Sequence, residues 1–234
     1  MIPVYRESGK VCADIDAAAT FLERFGGGEI LIVDDGSPDD TAKMAEKHAS
    51  KTPVPTRILR LGRHRGKGAA VRMGILQSRG RWVMFADSGL CVPFDEALAG
   101  IELIRQGQCL LAHGRRACIR QKRSLYRRAC SGLFNRWLIG GLKQKLGLTD
   151  TQCGFKIYDG DTARRLYAQS VIDGFMFDLE IILLAARNGV AIREFPVTWS
   201  FDPDSRLHPL RQSLGIVNDI IRLRRRFADV FHTK

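Results

Sequence analysis

The sequence lacks the features that define several classes of protein. Its six cysteines form no C-x-x-C pair and its five histidines are scattered, which argues against zinc ribbons and disulfide frameworks. No apolar run reaches the ~18–20 residues that a spanning helix needs, and no signal-peptide pattern is visible. We therefore expect a protein of the reducing cytosol whose contact with any membrane is peripheral or supplied by another chain.

Acidic residues are absent between Glu102 and Asp150, an interval that carries eleven Lys and Arg residues. The formal net charge is +12, and this interval accounts for most of the excess. Such an uneven distribution of charge indicates an anionic partner: nucleic acid, an anionic membrane or a phosphorylated substrate.

Two basic amphipathic helices are predicted, over residues 122–145 and 210–231. Their basic faces fit three alternatives: a solvated surface, a nucleic-acid contact, or a position on an anionic leaflet with the apolar side chains submerged. Phe134 and Trp137 beside Arg136 favour the membrane, and the chain contains no known nucleic-acid motif. We therefore expect no nucleic-acid partner.

Short apolar runs alternate with helical patterns through the first half of the chain. Strands are predicted at residues 1–5, 29–33, 57–61, 82–86 and 108–112, with helices between them. Repeated β-α units predict an α/β fold with a doubly wound, mostly parallel sheet. The second half adds a strand that ends near residue 158, an apolar helix at 175–188 and a strand at 191–199.

Acidic residues follow two of these strands directly. Asp34 and Asp35 end the apolar run 29–33, and Asp87 ends the run 82–86. Asp-Gly is a common turn, so a simple turn role for the first pair is one alternative. Ligands of open α/β sheets bind at the carboxyl ends of strands. The repetition therefore favours a site for a phosphorylated, cation-associated ligand.

Residues 62–68, GRHRGKG, form a glycine-rich loop that opens a predicted helix. The loop has three residues, not four, between Gly62 and Gly66, and Gly68 stands where a P-loop has Ser or Thr. It also fails the dinucleotide G-x-G-x-x-G pattern. Either the loop is an ordinary tight turn, or its backbone N–H groups and Lys67 lie near a phosphate at the helix N-terminus.

Several segments together resemble the family 2 inverting glycosyltransferases, most of all the dolichyl-phosphate (polyprenyl-phosphate) glucosyl- and mannosyltransferase branch. They occur in the family's order between residue 1 and about residue 199. The segments are IVDDGSPDDTA (32–42), GKGAAVRMGI (66–75), the strand into Asp87, GRR (114–116), DTQCGFK (150–156) and FDLEIILLA (177–185).

The resemblance implies the GT-A-like fold of nucleotide-diphospho-sugar transferases. It implies a catalytic domain over residues 1–204, with a nucleotide-binding half at about 1–113 and an acceptor half at about 114–204. Residues 205–234 would then form the basic amphipathic C-terminal helix.

The resemblance also assigns roles to residues. Nucleotide-sugar binding falls to Pro3, Tyr5, Glu7, Asp34, Asp35, Lys67 and Asp87. Phosphate binding falls to Lys67, Arg115, Arg127 and Arg128. Catalytic roles fall to Asp87, Asp150, Gln152 and Glu180, and Asp87 is the implied ligand of a Mg²⁺ or Mn²⁺ cofactor.

One departure from the family pattern affects the cation site. The D-x-D motif here is Asp87-Ser88-Gly89, so a glycine replaces the second acid and the cation loses an anionic ligand. Three alternatives remain: water, Asp87 and the diphosphate suffice; Lys67 and the arginines take over the charge; or catalysis is weak. If the resemblance extends to the mechanism, Asp87→Ala abolishes transfer and Gly89→Asp keeps or raises it.

The implied reaction moves a hexose from UDP-glucose or GDP-mannose to a polyprenyl or dolichyl phosphate, with inversion, at the cytoplasmic face of the membrane. An anionic membrane surface, and a membrane-spanning partner protein if one is needed, would be its other partners. One alternative is a transferase with a polysaccharide or glycolipid hydroxyl as acceptor, which needs a base near Asp150 or Glu180. The other is a nucleotide-sugar-binding scaffold with little catalytic activity.

Overall fold

A computed structural model describes residues 1–119, 147–200 and 209–232 of the chain. The helix predicted at 122–145 therefore lies outside the described residues, as do Arg127 and Arg128.

The described chain alternates strands and helices in its first half. The strands are β1 (Ile2–Val4), β2 (Ile30–Asp34), β3 (Thr56–Arg60), β4 (Trp82–Ala86), β5 (Leu111–Ile119), β6 (Phe155–Asp159) and β7 (Ile192–Trp199). The helices are α1 (Val11–Phe25), α2 (Thr41–Ala49), α3 (Lys67–Gln77), α4 (Ala97–Arg105, after a 3-10 turn at Phe94–Glu96), α5 (Gly160–Ala168), α6 (Phe177–Arg187), α7 (Pro209–Arg226) and α8 (Ala228–His232).

The strands form two sheets that hydrogen bonds join at β1 and β4. The first sheet is parallel, in the order β1-β2-β3, and the second has the order β4-β6-β5-β7. The Met1 nitrogen donates to the Met84 carbonyl at 2.7 Å and the Ala86 N–H donates to the Met1 carbonyl at 3.2 Å. The two bonds lie on either side of Phe85 in β4, which is the pattern of parallel strands. The two sheets are therefore continuous, in the order β3-β2-β1-β4-β6-β5-β7.

One strand runs against the others. β6 is antiparallel to both β4 and β5, whereas β5 and β7 are parallel. The predicted mostly parallel sheet is thus confirmed, and the reversed strand lies beside β4. The register pairs Ala86 with Phe155, so the chain after β4 and the chain before β6 meet at one end of the sheet.

Helices cover both faces of the sheet, as a doubly wound fold requires. On one face Ile15 and Phe21 of α1 and Ile101 of α4 pack in one hydrophobic cluster. On the other face a second cluster joins α3, α5, α6 and α7, with Phe177 and Leu223 among its buried members.

One predicted strand boundary was wrong, and one helix was missed. The strand predicted at 108–112 is β5, Leu111–Ile119, which continues through the basic residues because Arg115 and Arg116 pair with Pro196 and Val197 of β7. Helix α5 was not predicted at all, although Asp159 caps it by accepting a hydrogen bond from the Thr162 N–H at 2.9 Å.

Ile32 lies at the centre of β2 and is fully buried. We expect Ile32→Ala to lower the free energy of unfolding by about 2–5 kcal/mol, since it removes buried apolar atoms and leaves a cavity. The matched control is Ile221→Ala, because Ile221 of α7 is 44% exposed, and this change should stay within about 0.5 kcal/mol. Urea unfolding of both variants measures the difference, and equal losses would contradict the placement of the core.

Candidate active site

The two acids that end β2 hold the neighbouring loops in place. The Asp34 carboxylate accepts a hydrogen bond from the Ser37 N–H at 3.2 Å. The Asp35 carboxylate is almost fully buried and accepts the Arg65 and Gly66 N–H groups, both at 2.8 Å. The Asp35 side chain therefore ties the end of β2 to the glycine-rich loop.

An aromatic pair lies at the same end of the sheet. The ring of Tyr5, just after β1, stacks on the ring of His64 with centroids 4.0 Å apart and planes inclined by 22°. The His64 Nδ1 lies 2.8 Å from an Asp35 oxygen, which fixes the imidazole. Of the other residues predicted here, Pro3 is buried within β1, and the Glu7 carboxylate lies 3.9 Å from the Lys10 ammonium.

Lys67 and Asp87 form an ion pair across the site, with Nζ and Oδ1 2.6 Å apart. Lys67 is the first residue of α3, and the Asp87 N–H donates to the Gly154 carbonyl at 2.9 Å. A Cβ on Gly154 would overlap the Asp87 carboxylate, so glycine is needed there. Burial alone would lower the pKa of Lys67, but attraction to Asp87 and to Asp178 outweighs it and raises that pKa.

A second, deeper pair lies behind the first. The Lys156 side chain is fully buried, and its ammonium donates to Asp178 and to the Cys153 carbonyl, the latter at 2.6 Å. The ammonium groups of Lys67 and Lys156 lie 5.5 Å and 5.3 Å from the Phe85 ring centroid. Burial raises the pKa of Asp178, against the attraction of Lys156 and Lys67. The site thus holds two lysines and two aspartates that neutralise one another.

Asp150 is held by a bidentate pair with Arg116. The Arg116 Nε and Nη2 atoms lie 2.5 Å and 2.7 Å from the two carboxylate oxygens, and the guanidinium carbon lies 5.7 Å from the Trp199 ring centroid. Burial would raise the pKa of Asp150, but the hydrogen bonds from Arg116 outweigh it and leave that pKa well below its usual range. Asp150 is consequently an anion at neutral pH and a poor base.

In the loop after Asp87, Gly89 occupies the position of the second D-x-D acid, and its backbone conformation favours glycine. Gly89 has φ of +85°, a region that L side chains rarely adopt. Its N–H donates to the Asp14 carboxylate at 2.9 Å, and the Ser88 hydroxyl donates to the same carboxylate at 2.6 Å. Asp14 of α1 is fully buried, and it fixes the conformation of this loop.

Asp87 is therefore the single D-x-D carboxylate at this position. Across the described ranges 1–119, 147–200 and 209–232, no three Asp, Glu, His or Cys side chains form a cluster able to hold a metal. A divalent ion prefers about six oxygen ligands, so Asp87 would hold one only together with oxygens that a ligand brings.

Sequence comparison identifies the family to which these residues belong. The model of the family described as Glycosyl transferase family 2 matches residues 1–170. The chain belongs to glycosyltransferase family 2. It is also 33% identical, over 97% of its length and 73% of the relative's, to a protein of Dictyostelium discoideum named dolichyl-phosphate beta-glucosyltransferase.

Solved structures support the GT-A-like fold of this glycosyltransferase. Mannosyl-3-phosphoglycerate synthase from Rubrobacter xylanophilus superposes with a TM-score of 0.71 at 20% identity, covering 100% of this chain and 75% of that one. Glucosyl-3-phosphoglycerate synthase from Mycobacterium tuberculosis, crystallised with Mn²⁺ and UDP-glucose, gives a TM-score of 0.63 at 20% identity over 94% of this chain and 77% of that one. In that neighbour a divalent cation therefore accompanies the nucleotide sugar.

Glu180 does not join the cluster, so its predicted catalytic position is corrected. Its side chain is fully buried, and it accepts hydrogen bonds from the Ser170 hydroxyl at 2.6 Å, from two N–H groups at residues 171 and 172, and from Arg226. A carboxylate enclosed by these donors is not available to a substrate. The acid of the FDLE segment that reaches the site is Asp178, two residues earlier.

The remaining predicted residues lie at the edge of the site. The Gln152 N–H donates to Asp150 at 3.1 Å. Arg115 has 41% of its side chain exposed, and its Nε lies 4.0 Å from Glu194. Lys156 was missed by sequence reasoning, although it ends the DTQCGFK segment that was singled out.

No helix within the part of the glycosyltransferase that the structure describes combines the length and apolar character that crossing a membrane requires.

The left-handed backbone at Gly89 gives a stability prediction. Gly89→Ala should lower the free energy of unfolding by about 1–2 kcal/mol, because an L residue at this φ is strained. The control is Gly62→Ala, where a Cβ would meet no atom within 4 Å, and stability should be unchanged or slightly higher. Chemical denaturation distinguishes them. Gly89→Asp carries the same backbone strain, so we expect reduced stability from it as well; that it keeps or raises transfer stays a prediction.

His113 of β5 gives a prediction for pH. It is fully buried, and burial, with repulsion from Lys156, lowers its pKa to about 3. In the unfolded chain its pKa is about 6.5, so the unfolded state binds the proton first. The stability that neutral His113 contributes is present above about pH 6.5 and is lost as pH falls toward 3.

Urea unfolding at pH 7.5 and pH 5 tests this sign. The midpoint should fall on acidification in the wild type, and the fall should be smaller in His113→Gln, which cannot titrate. Val54→Ala, which removes buried apolar atoms but no titratable group, is the control and should keep the wild-type dependence. If the urea midpoint falls equally in His113→Gln and in the wild type, His113 is not the source of the pH dependence.

Proposed function

We propose that this glycosyltransferase moves glucose from UDP-glucose to a polyprenyl or dolichyl phosphate, with inversion, at the cytoplasmic surface of a membrane. GDP-mannose is the alternative donor. The observation that carries the proposal is that Asp87, Asp150 and Asp178 each pair with a cation. A hydroxyl acceptor needs a free base, whereas a phosphate acceptor is already ionised at pH 7.

The donor site in this proposal lies at the carboxyl ends of β1, β2 and β4. The stacked rings of Tyr5 and His64 offer a flat surface for the base, and Asp34 and Asp35 shape the pocket around the nucleoside, with Pro3 and Glu7 nearby. Lys67 stands at the N-terminus of α3, where backbone N–H groups favour phosphate oxygens. Arg115, Arg127 and Arg128 are proposed to complete the phosphate contacts.

Bond formation and bond breaking then occur at the sugar C1. An oxygen of the lipid phosphate bonds to C1 from one face as the bond from C1 to the diphosphate oxygen breaks on the other, and the electron pair leaves with the nucleoside diphosphate. Lys67 lies where that charge develops and stabilises it. Arg116 and Gln152 are proposed to orient the acceptor phosphate beside Trp199, so no side chain has to remove a proton.

Asp87 is the residue that would hold Mg²⁺ or Mn²⁺. A bound cation would supply further stabilisation of the diphosphate charge. Among the described residues the D-x-D position offers one carboxylate, already paired with Lys67, so we expect a cation to bind only in the presence of the nucleotide.

The relatives' name and the surface of α7 support the proposed membrane location. The Dictyostelium discoideum protein is named for dolichyl phosphate, a membrane lipid. Val217 and Ile221 of α7 are exposed apolar residues, 50% and 44% accessible, next to the basic run 222–226. An amphipathic helix of this kind binds anionic leaflets. We propose that residues 1–204 carry catalysis and that the terminal helix provides this contact.

Thermal unfolding with nucleotide sugars tests the donor site. At a hundred times its dissociation constant a ligand adds about 2.7 kcal/mol of stability, and each kcal/mol moves Tm by about 2–4 °C in a chain of this size. UDP-glucose with Mn²⁺ should raise Tm, GDP-mannose should raise it less, and Mn²⁺ alone should leave it unchanged.

Two variants of the site and one control variant make the result specific. Lys67→Met should abolish the shift with UDP-glucose, whereas Lys51→Met, at an exposed lysine, should keep it. Gly154→Ala should also abolish it because the new methyl group displaces the Asp87 carboxylate. No shift with either donor in the wild type would contradict the proposed donor site.

A further inference from the structure

Residues 170–174, which we term the buttress segment, support the glycine-rich loop from behind. The Asp173 carboxylate accepts hydrogen bonds from Arg65 at 2.9 Å and from Arg72. The Asp173 carbonyl accepts the Ala69 N–H at 3.2 Å. Arg65 of the loop, and Ala69 and Arg72 in the helix that follows it, are therefore attached to a single residue of the buttress segment. These contacts lie on either side of Lys67 in the chain.

The packing between the loop and the buttress segment leaves no spare room. A Cβ on Gly66 would lie 2.5 Å from the Asp173 carbonyl oxygen, and one on Gly68 would overlap the Ile172 carbonyl oxygen. Because two backbones meet this closely, a displacement of the buttress segment displaces the loop or breaks its hydrogen bonds.

Glu180 of α6 holds the other side of the buttress segment. Its buried carboxylate accepts the Ser170 hydroxyl at 2.6 Å, the Val171 N–H at 3.0 Å and the Ile172 N–H at 2.9 Å. These donors are all neutral, and the charged partner of Glu180 is Arg226.

Arg226 reaches Glu180 from the last turn of α7. One guanidinium nitrogen donates to Glu180, and the other donates to the Gln169 carbonyl at 2.7 Å. α7 is anchored beside this point by the buried side chains of Ile220 and Leu223. The guanidinium thus joins α7 both to Glu180 and to the residue that precedes the buttress segment.

We propose that Arg226 is a positioning residue for the donor site, acting through Glu180 and the buttress segment on the glycine-rich loop. The inference rests on the proposed function in that it takes this loop to bind the donor diphosphate. Removing Arg226 leaves a buried anion with neutral donors only, which is unfavourable. The buttress segment then opens more often, and the loop loses the backing that keeps Lys67 beside Asp87. The position of α7 is in this way coupled to donor binding.

Hydrogen exchange in the ligand-free protein tests the coupling without any nucleotide. In Arg226→Gln, amides of residues 170–173 and of 65–70 should exchange at least about fivefold faster than in the wild type, while amides of α2 keep their rates. The control is Arg225→Gln, an exposed arginine on the same turn, which should change neither segment. Arg226→Lys, which retains the charge, should show a smaller increase in the same two segments.

Two results would overturn the inference. Faster exchange at 170–173 with unchanged exchange at 65–70 would mean that the loop does not depend on the buttress segment. A uniform increase across the chain, in Arg226→Gln and Arg226→Lys alike, would mean that Arg226 only stabilises the fold.

Binding of UDP-glucose by titration calorimetry separates this inference from the proposed function. Arg226→Gln should weaken binding at least about fivefold, and it should raise KM for the donor more than it lowers kcat. The control variant, Arg225→Gln, should bind UDP-glucose with the wild-type affinity. Equal affinity in Arg226→Gln and the wild type would contradict the coupling alone. A wild type that binds no nucleotide sugar, with the exchange pattern as expected, would contradict the proposed function and leave the coupling intact.

Discussion

The ion pair between Lys67 and Asp87 is the interaction on which the rest of the site depends. It joins the first residue of α3 to the residue that follows β4. The neighbouring Gly66 N–H donates to Asp35, so the start of α3 connects the two strand ends that carry acids. The attraction of the Lys67 ammonium to Asp87 and Asp178 raises the pKa of Lys67, although burial would lower it. The ammonium is therefore charged when a diphosphate arrives, with no proton to be supplied first. The supporting contacts, from Gly154 on one side to the buttress segment on the other, fix the two partners.

The arrangement of charges explains how a basic protein buries so many acids. Removing an unpaired carboxylate from water costs several kcal/mol, and pairing with good geometry offsets that cost. Here Asp178 is met by Lys156 and Asp150 by Arg116. The same pairing removes these acids as general bases, which suits an acceptor that is already an anion. A net charge of +12 is then consistent with an enzyme whose two substrates are both negatively charged.

The sequence was informative where chemistry follows directly from chain position. Acids at the ends of buried strands predicted the site, since strand ends share an edge of the sheet. Side chains that meet only through tertiary packing were harder to foresee. Asp178 and Glu180 are two residues apart on α6, so they point in different directions, and nothing local tells which one faces the site. The reversed direction of β6, which brings Gly154 and Lys156 to β4, is likewise a property of the sheet and not of the segment.

The proposed reaction transfers a sugar to an ionised acceptor and uses no general base. The most direct measurement is transfer of radiolabelled glucose from UDP-glucose to a polyprenyl phosphate, with the matching polyprenol as the comparison acceptor. The account predicts product with the phosphate and none with the alcohol, and a rate that shows no ionisation of an enzyme base between pH 6 and 8 once the phosphate is charged. Equal or faster transfer to the alcohol would contradict it, because that reaction requires a base that the paired acids do not provide.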